Sequence, residues 1–169
     1  MIKRFVSLLL ILVLLTALFG CAAERRVGHC ELSILLPNEF TDYDTGGIYD
    51  VAVSDGSIII GILRLSFEAC IRDSIPTTMD AEKFAKYYMG DKDRFDELTE
   101  VTTSEDMVYF TYTLEGNNGG KYFYMPTFYV SPYAYFIVTF ITDYNFREGA
   151  KTRIFHYSDS ILIDPRLPV

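Results

Sequence analysis

The chain has only two histidines, His29 and His156, and no basic excess to set against its acids. Neither histidine has an evident nucleophile beside it, and no G-x-S-x-G or H-E-x-x-H segment occurs, so the hydrolase and zinc-protease constellations are missing. With 15 Lys and Arg against 23 Asp and Glu, a net charge of -8, the chain repels nucleic acid. No internal repeat or low-complexity tract appears, which excludes a solenoid. Long apolar runs are also scarce. There is one, from Phe5 to Ala23, and it follows Lys3 and Arg4.

That single run has the layout of a positive n-region and an apolar h-region. Its length is near the lower limit of a membrane span, roughly 17 to 25 residues, so its end has to decide between anchor helix and leader. The end reads Leu18-Phe19-Gly20-Cys21 and resembles the bacterial lipoprotein lipobox: an aliphatic residue three places before the cysteine, then a small residue, then the cysteine. The resemblance implies that residues 1–20 are a removed leader and that Cys21 is lipidated and becomes the first mature residue. The alternative is an uncleaved N-terminal helix. A diacylated cysteine holds a protein at a membrane without a second anchor, at roughly 0.8 kcal/mol per buried methylene. The expected location is therefore the extracytoplasmic side of a bacterial membrane or envelope.

Without the leader there remain 13 Lys and Arg against 23 Asp and Glu, a net charge of -10. Residues 21–29 read as the lipidated cysteine and a short tether, and 30–169 as a single domain, a usual size for one hydrophobic core. Arg25 and Arg26 read as spacer, with anionic lipid as the alternative contact. The acids between Asp91 and Asp106 read as a solvated loop.

The body of the chain begins with strand signals. ELSILL alternates Leu32, Ile34 and Leu36 until Pro37, and two apolar runs, Ile48 to Val53 and Ser57 to Phe67, flank Asp55-Gly56, a strong hairpin signal. In TMDAEKFAKYYMG the period changes: Ala81, Phe84, Ala85 and Tyr88 share a helical face, Thr78 or Asp80 is placed to cap the start, and Gly90 to end it. From Met107 to Thr142 the period returns to two, predicting a three-stranded meander. A capping box at Asn145 to Glu148 opens a last helix with a stripe of Phe146, Ala150, Ile154 and Tyr157, and a short strand over Ile161 to Ile163 closes the chain.

This order, β-β-β-α-β-β-β-α-β, resembles the PsbP-like fold. The residues that carry the likeness are ELSILLPNEF, TMDAEKFAKYYM, the run from VYFTYTL to FIVTFIT, and NFREGAKTRIFHYSDSI. The resemblance implies an α+β domain, an antiparallel sheet with flanking helices. It also implies members that act through protein partners or whose action is unexplained, with no catalytic residues to carry over.

Direct inspection for chemistry agrees. GNNGGKY departs from a phosphate loop, because Glu115 stands at its first glycine position and Tyr122 where Ser or Thr would bind magnesium. DKDRFDE departs from a calcium loop, because Asp96 occupies the glycine position. His29 with Cys30 is one adjacent pair without a second. No metal, cofactor or catalytic residue is expected. Cys30 and Cys70 are an even pair for an oxidising compartment, read either as a disulfide or as buried free thiols.

What stands out is the aromatic load, eight of 13 Tyr and five of 13 Phe between Met107 and Tyr144. Alternation puts them on both faces of the meander, so one face is core and the other is covered by helices or presents a binding patch. By register the patch candidates are Tyr109, Tyr122, Tyr124 and Tyr135, with the loop Glu115 to Gly120 beside them. The expected function is non-enzymatic: a lipid-anchored binding or accessory protein with a protein partner, the other reading being a receptor for a carbohydrate or peptide.

Overall fold

The computed structural model describes residues 23–90, 95–104, 107–116 and 118–166. The leader 1–20 and Cys21 lie outside the described residues. Among those described, no helix is long and apolar enough to cross a membrane.

Two antiparallel sheets form the domain. The smaller has the order β1-β2-β11, from Glu24–His29, Leu32–Pro37 and Leu162–Ile163. The larger has the order β3-β4-β5-β10-β9-β7-β6, from Thr41–Asp42, Val51–Ser54, Ile58–Ser66, Ala134–Asp143, Lys121–Val130, Met107–Tyr109 and Thr102–Ser104, with β8 (Tyr112–Glu115) also paired to β9. Among the described residues three α-helices complete it: α1 (Phe67–Arg72), α2 (Ala81–Met89) and α3 (Arg147–Asp159).

Several local signals act as expected. Asp55 accepts from the N–H groups of Ser57 and Ile58, and Gly56 turns at φ 86°, closing the β4–β5 hairpin. Asp80 accepts from Lys83 N–H at 2.8 Å, which starts α2, and Gly90 ends it. Others do not. The segment read as a tether contains β1, whose residues pair with β2 from Glu24↔Pro37 to His29↔Leu32, so the ordered domain starts before residue 30. The expected run to Phe67 ends at Ser66, whose side chain caps α1 through Ala69 N–H at 3.1 Å. The expected capping box is absent: Asp143 caps a 3-10 turn over Tyr144–Phe146, and α3 follows with no side-chain cap. Phe146 is correspondingly not part of the buried stripe; it is 68% exposed.

Alternation divides the large sheet into two faces. On the first, Ile58, Ile60, Ile62, Met125, Phe136, Val138 and Phe140 pack against Leu32, Ile34 and Leu36 of the small sheet and Ala150, Ile154 and Tyr157 of α3. On the second, Val108, Phe128, Tyr135 and Ile137 pack against Cys70 of α1 and Phe84, Ala85 and Met89 of α2. Cys30 and Cys70 are both free. No disulfide joins them, because Cys30 lies in the β1–β2 turn beside Arg64 on the first face, whereas Cys70 is buried in the core of the second.

The two sheets share their ends. At one end, Arg64 donates to both carboxylate oxygens of the fully buried Glu31, at 3.0 and 3.2 Å, and Ser131 Oγ donates to the same group at 3.4 Å. At the other, Arg25 donates to the Phe40 carbonyl, Thr41 pairs with Ser54, and Arg153 of α3 holds Asp55 and Ser57.

Candidate binding surface

The four candidate tyrosines separate into three environments. Tyr135 is core, with no exposed surface: its ring stacks on Phe84 at 4.1 Å, its hydroxyl donates to Pro76 O at 2.9 Å and it accepts from Met79 N–H at 3.0 Å. This removes it from any surface patch; α1 and α2 cover the end of the sheet where it lies. Tyr109 lies on the first face, edge-on to Phe155 of α3 at 5.7 Å, on the far side of the sheet from Tyr124. It too is removed from a shared patch, because odd residues of β7 face α3 while even residues of β9 face α2. Tyr122 and Tyr124 remain, half-buried on the second face.

Other tyrosines join those two, one from the meander and the rest from outside it. Tyr112 of β8 is cross-strand from Tyr124 and stacks on it at 4.9 Å with nearly parallel rings. Tyr88 of α2 contacts Phe84 and Phe128 and is 37% exposed, and Tyr87 beside it is 49% exposed. Tyr49 reaches over from the loop before β4 and lies on Gly61, where an added Cβ would stand 2.5 Å from its ring. The strand-interior glycine in IIIGILRLS was the available signal for this close approach.

Burial holds Tyr112 well above the ordinary phenol range, and the neighbouring Tyr88, Tyr49 and Tyr124 add to it. Tyr124 is raised by burial and by Tyr49 and Tyr122. Tyr49 is raised by burial despite its hydrogen bond with Thr139. The cluster offers aromatic area with hydroxyl donors and acceptors.

Two features border it. Glu97 accepts from Lys121 and from the Tyr144 hydroxyl, while Lys121 and Arg147 lie over the Tyr144 ring at 4.4 and 3.8 Å. At the strand ends, a cleft of ≈ 390 Å³ runs between Tyr43, Ile59, Tyr122, Ile141 and Phe146. Elsewhere, His156 is exposed on α3 and His29 ends β1. Among the described residues, no group of three or more His, Cys, Asp or Glu is placed to hold a metal ion.

The architecture is similar to the solution structure of cyanobacterial PsbP (CyanoP) from Synechocystis sp. PCC 6803, with a TM-score of 0.55 and 17% sequence identity over 85% of this chain and 94% of that one. No family model matches the chain, and no curated protein matches it in sequence. The likeness shows the fold: an α+β, PsbP-like domain of antiparallel sheets with few helices.

Proposed function

We propose that this PsbP-like domain is a non-catalytic binding or accessory lipoprotein, held by Cys21 on the extracytoplasmic side of a bacterial membrane, and that it binds a protein partner on the second face of its large sheet. The observation that carries the reading is the group of Tyr49, Tyr88 and Tyr124, packed on the buried Tyr112, which helices α1 and α2 leave partly uncovered. Tyrosine gives such a surface large contact area and a hydrogen bond at low entropic cost. A receptor for a small carbohydrate or peptide would call instead for an enclosed pocket with convergent polar groups. The anchor rests on the lipobox after the leader.

Photo-crosslinking in the native cell, with the reactive group at Tyr88 and a control at Tyr133, tests the surface, and mass spectrometry identifies what is joined. The expected result is one protein joined from Tyr88 and not from Tyr133. With the partner in hand, Tyr124→Ala should weaken capture by about 2 kcal/mol, roughly 30-fold, and His156→Ala should leave it intact. Folded tyrosine variants that all capture normally would overturn the surface. Incorporation of a labelled fatty acid tests the anchor, since Cys21→Ala should abolish it.

A further inference from the structure

We infer that the end of the domain carrying Tyr43 and Phe146 is seated on the lipid bilayer, with these two side chains in the interfacial layer; this rests on the reading of Cys21 as the lipidated residue. The first observation is how little chain is left to separate domain from anchor. The carbonyl of Ala23 already accepts from Asn38 N–H at 3.0 Å, and β1 starts at Glu24. Only Ala22 separates Cys21 from Ala23, two Cα–Cα steps that reach at most about 7 Å. A domain pinned that close to its acyl chains cannot turn freely and presents one end to the membrane.

The contacts identify that end. Ala23 sits by Asn38, Arg25 holds Phe40, and Thr41 and Asp42 pair with Ser54 and Val53 at the β4–β5 hairpin. On that same end, Tyr43, 46% exposed, and Phe146, 68% exposed, flank the strand-end cleft with Ile59 and Ile141. The opposite end carries the Glu31–Arg64 pair, Ser131 and the exposed Tyr133.

A bilayer interface suits these groups better than water does. Tyr and Phe have apolar bodies that partition into the headgroup boundary, and a tyrosine hydroxyl stays hydrated there. Arg25 and Arg147 lie at this end, but Glu24, Glu39, Asp143 and the Asp42 and Asp44 that flank Tyr43 outnumber them, so the seat depends on the apolar groups and not on charge. The anchor keeps the lipid at high local concentration, so weak partitioning is enough to fix the orientation. The tyrosine cluster on the sheet face is then held side-on to the membrane, within reach of a membrane-bound partner.

The chain has no tryptophan, so single tryptophans report position without background. Phe146→Trp, Tyr43→Trp and Tyr133→Trp would each be made in the full chain, purified from bacteria and placed in phosphatidylethanolamine–phosphatidylglycerol vesicles containing phosphatidylcholine brominated on its acyl chains. All three sites are exposed, and circular dichroism checks the fold. Intact mass of the same samples reports acylation. The expected result is acylated protein in which the emission of the Phe146→Trp and Tyr43→Trp variants shifts to the blue and is mostly lost, while that of the Tyr133→Trp variant is retained. Acylated protein with all three reporters unquenched, or all three quenched alike, overturns the seat and leaves the Cys21 reading standing. An unmodified mass overturns the Cys21 reading and the seat with it.

Discussion

The two faces of the large sheet are built from the same strands and end in different states. The first is sealed by a second sheet and α3, and its strand residues are mostly aliphatic: Ile58, Ile60 and Ile62 against Leu32, Ile34 and Leu36, all at most 1% exposed. The second is covered by two short helices over the end where Tyr135 lies, and toward the other end it carries the half-buried Tyr122 and Tyr124 packed beside the buried Tyr112. Alternation alone makes both faces apolar. What separates core from surface is the element laid on each, and the residue chemistry follows: branched aliphatics where the lid is complete, phenols where it is not.

The largest expected effect tests the sealed face. Arg64→Met leaves Glu31 as an unpaired charge between the sheets and should cost about 3–5 kcal/mol in urea unfolding, with the double variant Glu31→Leu/Arg64→Met recovering most of it. Acid should narrow the gap between single variant and wild type. Burial pushes the Glu31 carboxyl up, but its bonds and charge contact with Arg64, its backbone N–H and Ser131 outweigh this, so its net shift is down. A depressed carboxyl contributes full stability above the ordinary glutamate value and loses it as pH falls through the folded value, so wild-type stability should decline below about pH 4.

Tyr135→Phe probes the covered half of the second face. It strands Met79 N–H and Pro76 C=O and should cost about 1–3 kcal/mol by the same measurement. The smallest effect belongs to the uncovered half: Tyr88→Ala should change stability by about 1 kcal/mol or less while weakening partner capture. A loss from Tyr88→Ala as large as that from Arg64→Met would abolish the contrast between the faces.

Local rules carried much of this fold. The alternation of Leu32, Ile34 and Leu36, the Asp55-Gly56 turn and the period and cap of α2 each appear where the sequence puts them, because each is decided by neighbours in the chain. Strand β1 escaped because only Val27 of ERRVGH is buried, and one inward residue makes no period. Helix α1 escaped because FEACIR continues an apolar run and only Ser66 marks the change. The site was half legible. Tyr122 and Tyr124 lie where register placed them, but β10 is buried on both faces along nearly all its length, so its pattern cannot distinguish Tyr135 from a surface residue. Tyr49 comes from a loop, and only Gly61 hints at it.

The pairing of β5 with β10 has a consequence for how the molecule comes into being. Ile58 waits for Thr142, and Ser33 of β2 waits for Leu162, so in a chain delivered N-terminus first β5 pairs with β4 alone and keeps one edge open until most of the chain has emerged. Such distant pairings slow folding and lengthen the life of unpaired edges. A chain ended before residue 134 would lack β10 altogether and leave β5 and β9 without their shared neighbour, whereas one ended after 159 would lack only the closing strand of the small sheet. Closure of the sheets is thus a late event, and the free β5 edge before it is the point at which a chaperone has most to protect.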